Sequence, residues 1–284
     1  WALTGGSCWG ATLVPRGATW DWLPGTSEAS VPLDAWRGPG FEAVGFTAAP
    51  APFWYGDVLP GGTQIRGMQG MYGCIFLRTT FVVPRVEDVG GLRLEALVDD
   101  GFVAWVNGFE VLRVRVPGEA GSAVTVSTLA ENAPEPVAYT AHALPGAAAL
   151  LRPGTNVLAV QVFQSSVGSS DLGFDAALEG VAPDFSPPRV VAVEPGAGSV
   201  VERLSEVRVR FSEPVDGVVA AHLLVAGVGA AAVIAESDTT YLFRFVQPAY
   251  GKVRVAWGAG QTVADRAEPP NHFQPGPDGG GWEY

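Results

Sequence analysis

Along this chain apolar and polar residues alternate with period two instead of recurring at helical spacing. In VRVRFS, Val207, Val209 and Phe211 alternate with Arg208, Arg210 and Ser212, and in KVRVAW, Val253, Val255 and Trp257 alternate with Lys252, Arg254 and Ala256. Such segments predict strands with one face in water. Similar patterns predict strands at 75–83, 92–98, 102–107, 109–116, 156–163, 172–178, 190–194 and 241–246. Helical punctuation is missing: GAAALL at 146–151 is bounded by Pro145 and by Pro153-Gly154, which leaves room for a turn or two. Short strands separated by frequent turn signals predict an all-β protein built from sandwiches.

The segment VAPDFSPPR, 181–189, carries three prolines and precedes a fresh strand pattern, so it reads as a semi-rigid connector between two domains of unequal size. A chain of 284 residues, 48% hydrophobic and 16% charged, has enough apolar surface for two cores. Its apolar runs break after a few residues, far short of the roughly 20 that span a bilayer, so no membrane insertion is expected. A net charge of −12 without a basic cluster repels phosphate backbones and argues against a nucleic-acid partner. The chain starts at Trp1 without an initiator methionine or a signal segment, and is expected to be a processed form or an excised piece.

Within LVDDGFVAWVNGFEVLRV, 97–114, the Asn107-Gly108 pair lies between two apolar runs and predicts a two-residue hairpin, because both residues tolerate positive φ. Asp99, Asp100 and Gly101 then fall at the other end of the first strand. They read as a tight turn whose carboxylates bond backbone amides, with a structural calcium site as the alternative.

Catalytic signatures are missing, and no catalytic residue is assigned. His142, His222 and His272 lack the Ser, Cys or second-His context of a triad or a metal pair. Asp99 or Asp100 could act on a glycoside with Asp171 or Asp175 if folding set the required separation, but turn and edge roles explain all four. Six of nine tryptophans lie within the first 54 residues, where strand periodicity is weak. Trp20 and Trp22 in TWDWL share one face if the segment is extended, and with Trp54 and Tyr55 they are the candidates for stacking on a ligand; core packing is the competing role. Cys8 and Cys74 are expected to form a disulfide if the chain is extracellular, and to be buried thiols in a reducing compartment.

The segments TTFVV, LVDDGFVAWVNGFEV, LLRPGTNVLAVQVFQ and SSDLGFDAALEG give residues 1–180 a resemblance to the galactose-binding-like jelly-roll module of large secreted bacterial proteins. DDG…WVNG and PGTNVLAV are also similar to the non-catalytic sugar-binding sandwich of β-galactosidase-type enzymes. PPRVVAVEPGAGSVV, VRVRFSEPV and GQTVADRAEPPNHF resemble a bacterial Ig-like repeat over 188–284. These resemblances imply a jelly-roll domain over 1–181, a linker over 182–189 and a smaller Ig-like domain over 190–284. The function expected is a non-enzymatic extracellular or cell-surface adhesion module directed at polysaccharide or cell-surface glycan, within a larger secreted protein. The alternatives are a self-associating subunit of a filament or surface layer, built by head-to-tail contacts, and an ancillary domain of a polysaccharide-degrading enzyme.

Overall fold

The computed structural model describes residues 10–57, 59–135, 137–276 and 280–284. It is all-β, and the chain separates into two compact units, Trp1–Pro183 and Asp184–Tyr284.

The first unit contains β1 (Gly10–Val14), β2 (Thr19–Pro24), β3 (Thr47–Pro50), β4 (Phe53–Tyr55), β5 (Thr63–Gln64), β6 (Cys74–Val83), β7 (Gly91–Asp99), β8 (Gly101–Val106), β9 (Phe109–Val114), β10 (Thr140–Leu144), β11 (Gly154–Phe163) and β12 (Leu172–Val181). One sheet runs β10-β7-β12-β4-β5, with β1 also on β12; the other runs β3-β2-β6-β11-β8-β9. Alternate residues of both sheets meet in one core, including Leu94, Ala96 and Val98 of β7, Phe174 and Leu178 of β12, Leu77 of β6 and Leu158 and Val160 of β11.

The second sheet is buried on its other face as well. There Phe76, Trp105, Val157, Ala159 and Phe163 pack beneath Trp36, from a 3₁₀ turn at Ala35–Arg37, and beneath Val124 and Ala130, from segments outside the strands. A sheet covered on both sides needs continuous apolar runs, which accounts for CIFL at the start of β6. Trp36 is fully buried and meets Phe76 and Trp105 edge to face, with centroids 5.1 and 5.7 Å away.

The expected hairpin is present. Asn107 and Gly108 have φ of 52° and 94°, and Val106 pairs with Phe109 across the two-residue loop. The Asn107 side chain fixes this turn to the next strand: its Oδ1 accepts from Val157 N at 2.9 Å, and its Nδ2 donates to Asn156 Oδ1 at 2.7 Å. The segment 147–150 is a single 3₁₀ turn.

The second unit contains β13 (Val190–Glu194), β14 (Glu206–Phe211), β15 (Leu223–Val225), β16 (Val228–Gly229), β17 (Ala232–Ala235), β18 (Thr240–Arg244), β19 (Arg254–Trp257) and β20 (Trp282–Glu283). Its sheets run β13-β14-β18-β17 and β16-β15-β19-β20. Val207, Val209 and Phe211, with Phe243 beside them in the same sheet, share one core with Val255 and Trp257 of the other sheet, as their alternation requires. No helix among the described residues is long and apolar enough to cross a membrane.

Candidate functional site

Antiparallel register gathers several acidic and amide side chains at one end of the first unit. β7 ends at Asp99, which pairs with Gly173, so Asp171 lies just before β12 beside the end of β7. β8 begins at Gly101, which pairs with Phe163, so Gln164 follows β11 opposite Asp100. The peptide between Asp99 and Asp100 is cis.

The two adjacent aspartates have different work. Asp100 is buried, and both its carboxylate oxygens are taken by backbone amides: Ala133 N donates to Oδ1 at 2.9 Å and Ser165 N to Oδ2 at 2.7 Å. Its carbonyl accepts from Arg115 Nε at 2.7 Å. Asp100 thus ties the hairpin to two distant segments. Carboxylate-to-amide bonding is what a DDG turn leads one to expect, but the partners are far away in sequence and not within the turn.

Asp99 turns instead toward other acids. One carboxylate oxygen from each of Asp99, Glu135 and Asp171 lies within 4.8 Å of the other two. None of the three has a Lys or Arg ion-pair partner among the described residues. Burial, followed by the charges of Asp100, Asp171 and Glu135, pushes Asp99 up to about 7. Tyr55 beside the cluster is pushed up to about 12, by burial first and then by Asp171, Asp99 and Asp100. Its hydroxyl donates to Ser169 O at 2.8 Å and accepts from Gln164 Nε2 at 2.6 Å.

Gln164 packs beside Tyr55 and the Asp171 backbone. It is 1% exposed, its Nε2 also donates to the Asp171 carbonyl at 2.6 Å, and its Oε1 has no hydrogen-bond partner among the described residues. A buried amide oxygen is costly to leave unsatisfied. The three carboxylates make an all-oxygen donor set, the kind that hard cations take and that soft metals do not.

Asp175, the other carboxylate considered for catalysis, is 2% exposed and saturated. It accepts from Gly17 N at 3.0 and 3.1 Å, from the Tyr139 hydroxyl at 2.6 Å and from Ala176 N at 2.8 Å. It pins the turn after β1 to β12.

The aromatic candidates separate by burial. Trp20 is fully buried against Phe174, and Trp22 is half-buried on the same core against Phe53. Tyr55 is buried beneath the acidic cluster. The rings of Trp20 and Tyr55 therefore have no open face on which a ligand could stack. Trp54 is half-exposed and donates from Nε1 to Gly61 O at 2.9 Å. Cys8 lies outside the described residues. Cys74 is fully buried, its Sγ is 3.4 Å from Gln161 Nε2, and burial pushes its thiol up to about 12.

In the second unit Asp184, Glu213 and Asp265 form another acidic group. Asp265 is already occupied by Asn271 N and Nδ2, both at 2.8 Å, and by Ala267 N at 3.0 Å. Burial opposes its ionisation, yet these bonds outweigh it and hold the carboxyl below its ordinary value.

Sequence reading found Asp99 but missed Glu135 and Gln164. Neither belongs to a local motif: strand register places Gln164, and the irregular segment between β9 and β10 carries Glu135.

No protein-family model matches the sequence, and no curated protein matches it. Solved structures that superpose on it include the β-glucuronidase of Ruminococcus gnavus, with TM-score 0.42 and 12% identity over 93% of this chain and 45% of that one. A β-glucuronidase of an uncultured Clostridium sp. superposes with TM-score 0.41 and 12% identity, again over 93% of this chain and 45% of that one. This chain spans less than half the length of those proteins. At such identity and superposition neither a shared family nor a shared activity follows.

Proposed function

We propose that the chain is a non-catalytic, glycan-directed binding module whose first unit holds a calcium ion between Asp99, Glu135 and Asp171. The observation that carries this reading is the carboxylate cluster without a basic partner. Close carboxylates must either share protons or hold a cation. A calcium ion in such a cluster retains open coordination positions, and adjacent hydroxyls of a polyol are suitable ligands for them. The reading goes with an extracellular setting, where modules hold calcium in the range of about 10⁻⁴–10⁻³ M.

Calorimetric titration of the full chain with calcium tests the ion, and glycan-array binding with and without EDTA tests its use. The expected result is one calcium per chain, weakened about tenfold or more by Asp171→Asn, and glycan binding that chelator removes. Failure of calcium to bind would overturn the proposal.

A second reading has one observation in its favour. A carboxyl raised to about 7 beside other carboxylates is also how glycoside hydrolysis pairs an acid with a base or nucleophile. It predicts glycan cleavage without metal that Asp99→Asn abolishes, an outcome that the binding reading forbids.

A further inference from the structure

A second feature lies at the open flank of the first unit, where β9 and β10 are the edge strands of the two sheets. A cavity of about 160 Å³ opens between them, floored by Ala96 and Val98 of β7 and by Val114, and closed by Val137, Ala138 and their neighbours. Arg115, Thr140 and His142 supply its polar wall.

Arg115 is the unusual member. It is half-buried, has a left-handed φ of 52° immediately after β9, and is held by bonds from Nε to Asp100 O and from Nη2 to Val98 O at 3.1 Å. Both acceptors are neutral carbonyls. Among the described residues Arg115 forms no ion pair with a carboxylate. The nearby Glu95, which pairs with Ala141 of β10, is engaged by Arg16 at 2.7 Å. A fixed guanidinium without a counter-charge, in a small cavity, favours an anion with planar oxygens.

We propose that this cavity receives the carboxylate of an acidic sugar, with Arg115 as the charge partner and Thr140 and His142 contacting ring hydroxyls. The apolar floor suits the C–H face of a pyranose, and the volume is well below that of pockets for drug-sized ligands, so one ring or less enters. The sugar part of this inference rests on the glycan-directed reading, whereas the carboxylate part does not. Burial, and then the charge of Arg115, hold His142 below its ordinary value. A bound carboxylate adds the opposite charge and raises it.

The test uses the full chain, D-glucuronate and D-glucose, with calorimetry and NMR titration of the His142 ring. Glucuronate is expected to bind at least about tenfold more tightly than glucose, and Arg115→Gln to remove that preference. Because Arg115 also holds backbone carbonyls, Ala138→Phe provides a variant that fills the cavity without touching those bonds; it is expected to abolish glucuronate binding. In the unmutated protein, glucuronate should raise the His142 titration midpoint and glucose should not. Glucuronate binding unchanged in either variant, or a His142 midpoint indifferent to glucuronate, overturns the inference. Arg115-dependent glucuronate binding by a chain that fails to bind calcium leaves this inference standing and removes the calcium reading. Calcium-dependent binding of neutral glycans with no glucuronate preference does the reverse.

Discussion

Tyr139 donates its hydroxyl to Asp175 at 2.6 Å, across 36 residues of chain, while the Arg16 guanidinium lies 3.6 Å over the Tyr139 ring. The bond holds the segment before β10 against β12, and it keeps the phenol protonated well above its ordinary range, with burial as the first cause and Asp175 as the second.

Replacing Asp175 therefore acts on stability. Asp175→Ala leaves Gly17 N and the Tyr139 hydroxyl without their acceptor and is expected to cost about 2–4 kcal/mol. Tyr139→Phe removes one bond to a charged group and should cost about 1–2 kcal/mol. Urea unfolding followed by tryptophan fluorescence measures both. A stability equal to wild type in both variants would refute the pinning role.

Asn156 is fully buried and satisfied on both sides of its amide: Oδ1 accepts from Asn107 Nδ2 and Arg152 N, and Nδ2 donates to Arg152 O and Gly154 O. Asn156→Ala orphans several buried groups together and is expected to cost about 3 kcal/mol. Hydrogen exchange at Asn107 and Val157 should rise by more than at β12.

Trp36→Ala would open the outer layer over Phe76 and Trp105. The expected loss is about 3–5 kcal/mol, read by thermal unfolding, with new binding of an apolar dye to the uncovered sheet.

Asp99 gives stability a pH dependence of definite sign. Its folded value, about 7, lies above the unfolded value, about 4, so between the two the folded state binds more protons. Its contribution is fully present below about pH 4 and is lost as the pH rises to about 7 and beyond. Without cation, Asp99→Asn should therefore gain melting temperature relative to wild type between pH 5 and pH 8. With calcium the order reverses at pH 8, because the ion requires the ionised carboxylate. Parallel scans in EDTA and in calcium check both halves.

Much of the strand framework was legible because half-buried strands write their two faces into alternate residues, as Val207, Val209 and Phe211 do. The hairpin at Asn107-Gly108 was legible for a local reason, positive φ. The early strands were not. Thr47–Pro50 and Phe53–Tyr55 are short and broken by proline, and their partners lie on β2 and β12. The double burial of the β6 sheet was hidden too, since its outer cover comes from residues outside the strands such as Trp36 and Val124. Of the candidate site, Asp99 announced itself beside Gly101, while Glu135 and Gln164 carry no local pattern: the pairing of β8 with β11 places Gln164, and the segment between β9 and β10, tied to Asp100 through Ala133 N, brings in Glu135.

The pairing of β1 with β12 sets Gly10 opposite Val181. The earliest described strand therefore waits for the latest strand of its unit, and on a ribosome the first sandwich cannot close until residue 181 has emerged. Nucleation must come from nearer neighbours, such as the β8–β9 hairpin, with the slow search left to contacts spanning nearly the whole unit. The same adjacency means that a short peptide joining the two ends, with a new opening at an exposed turn, should give a circularly permuted unit that keeps its sheets but assembles in a different order.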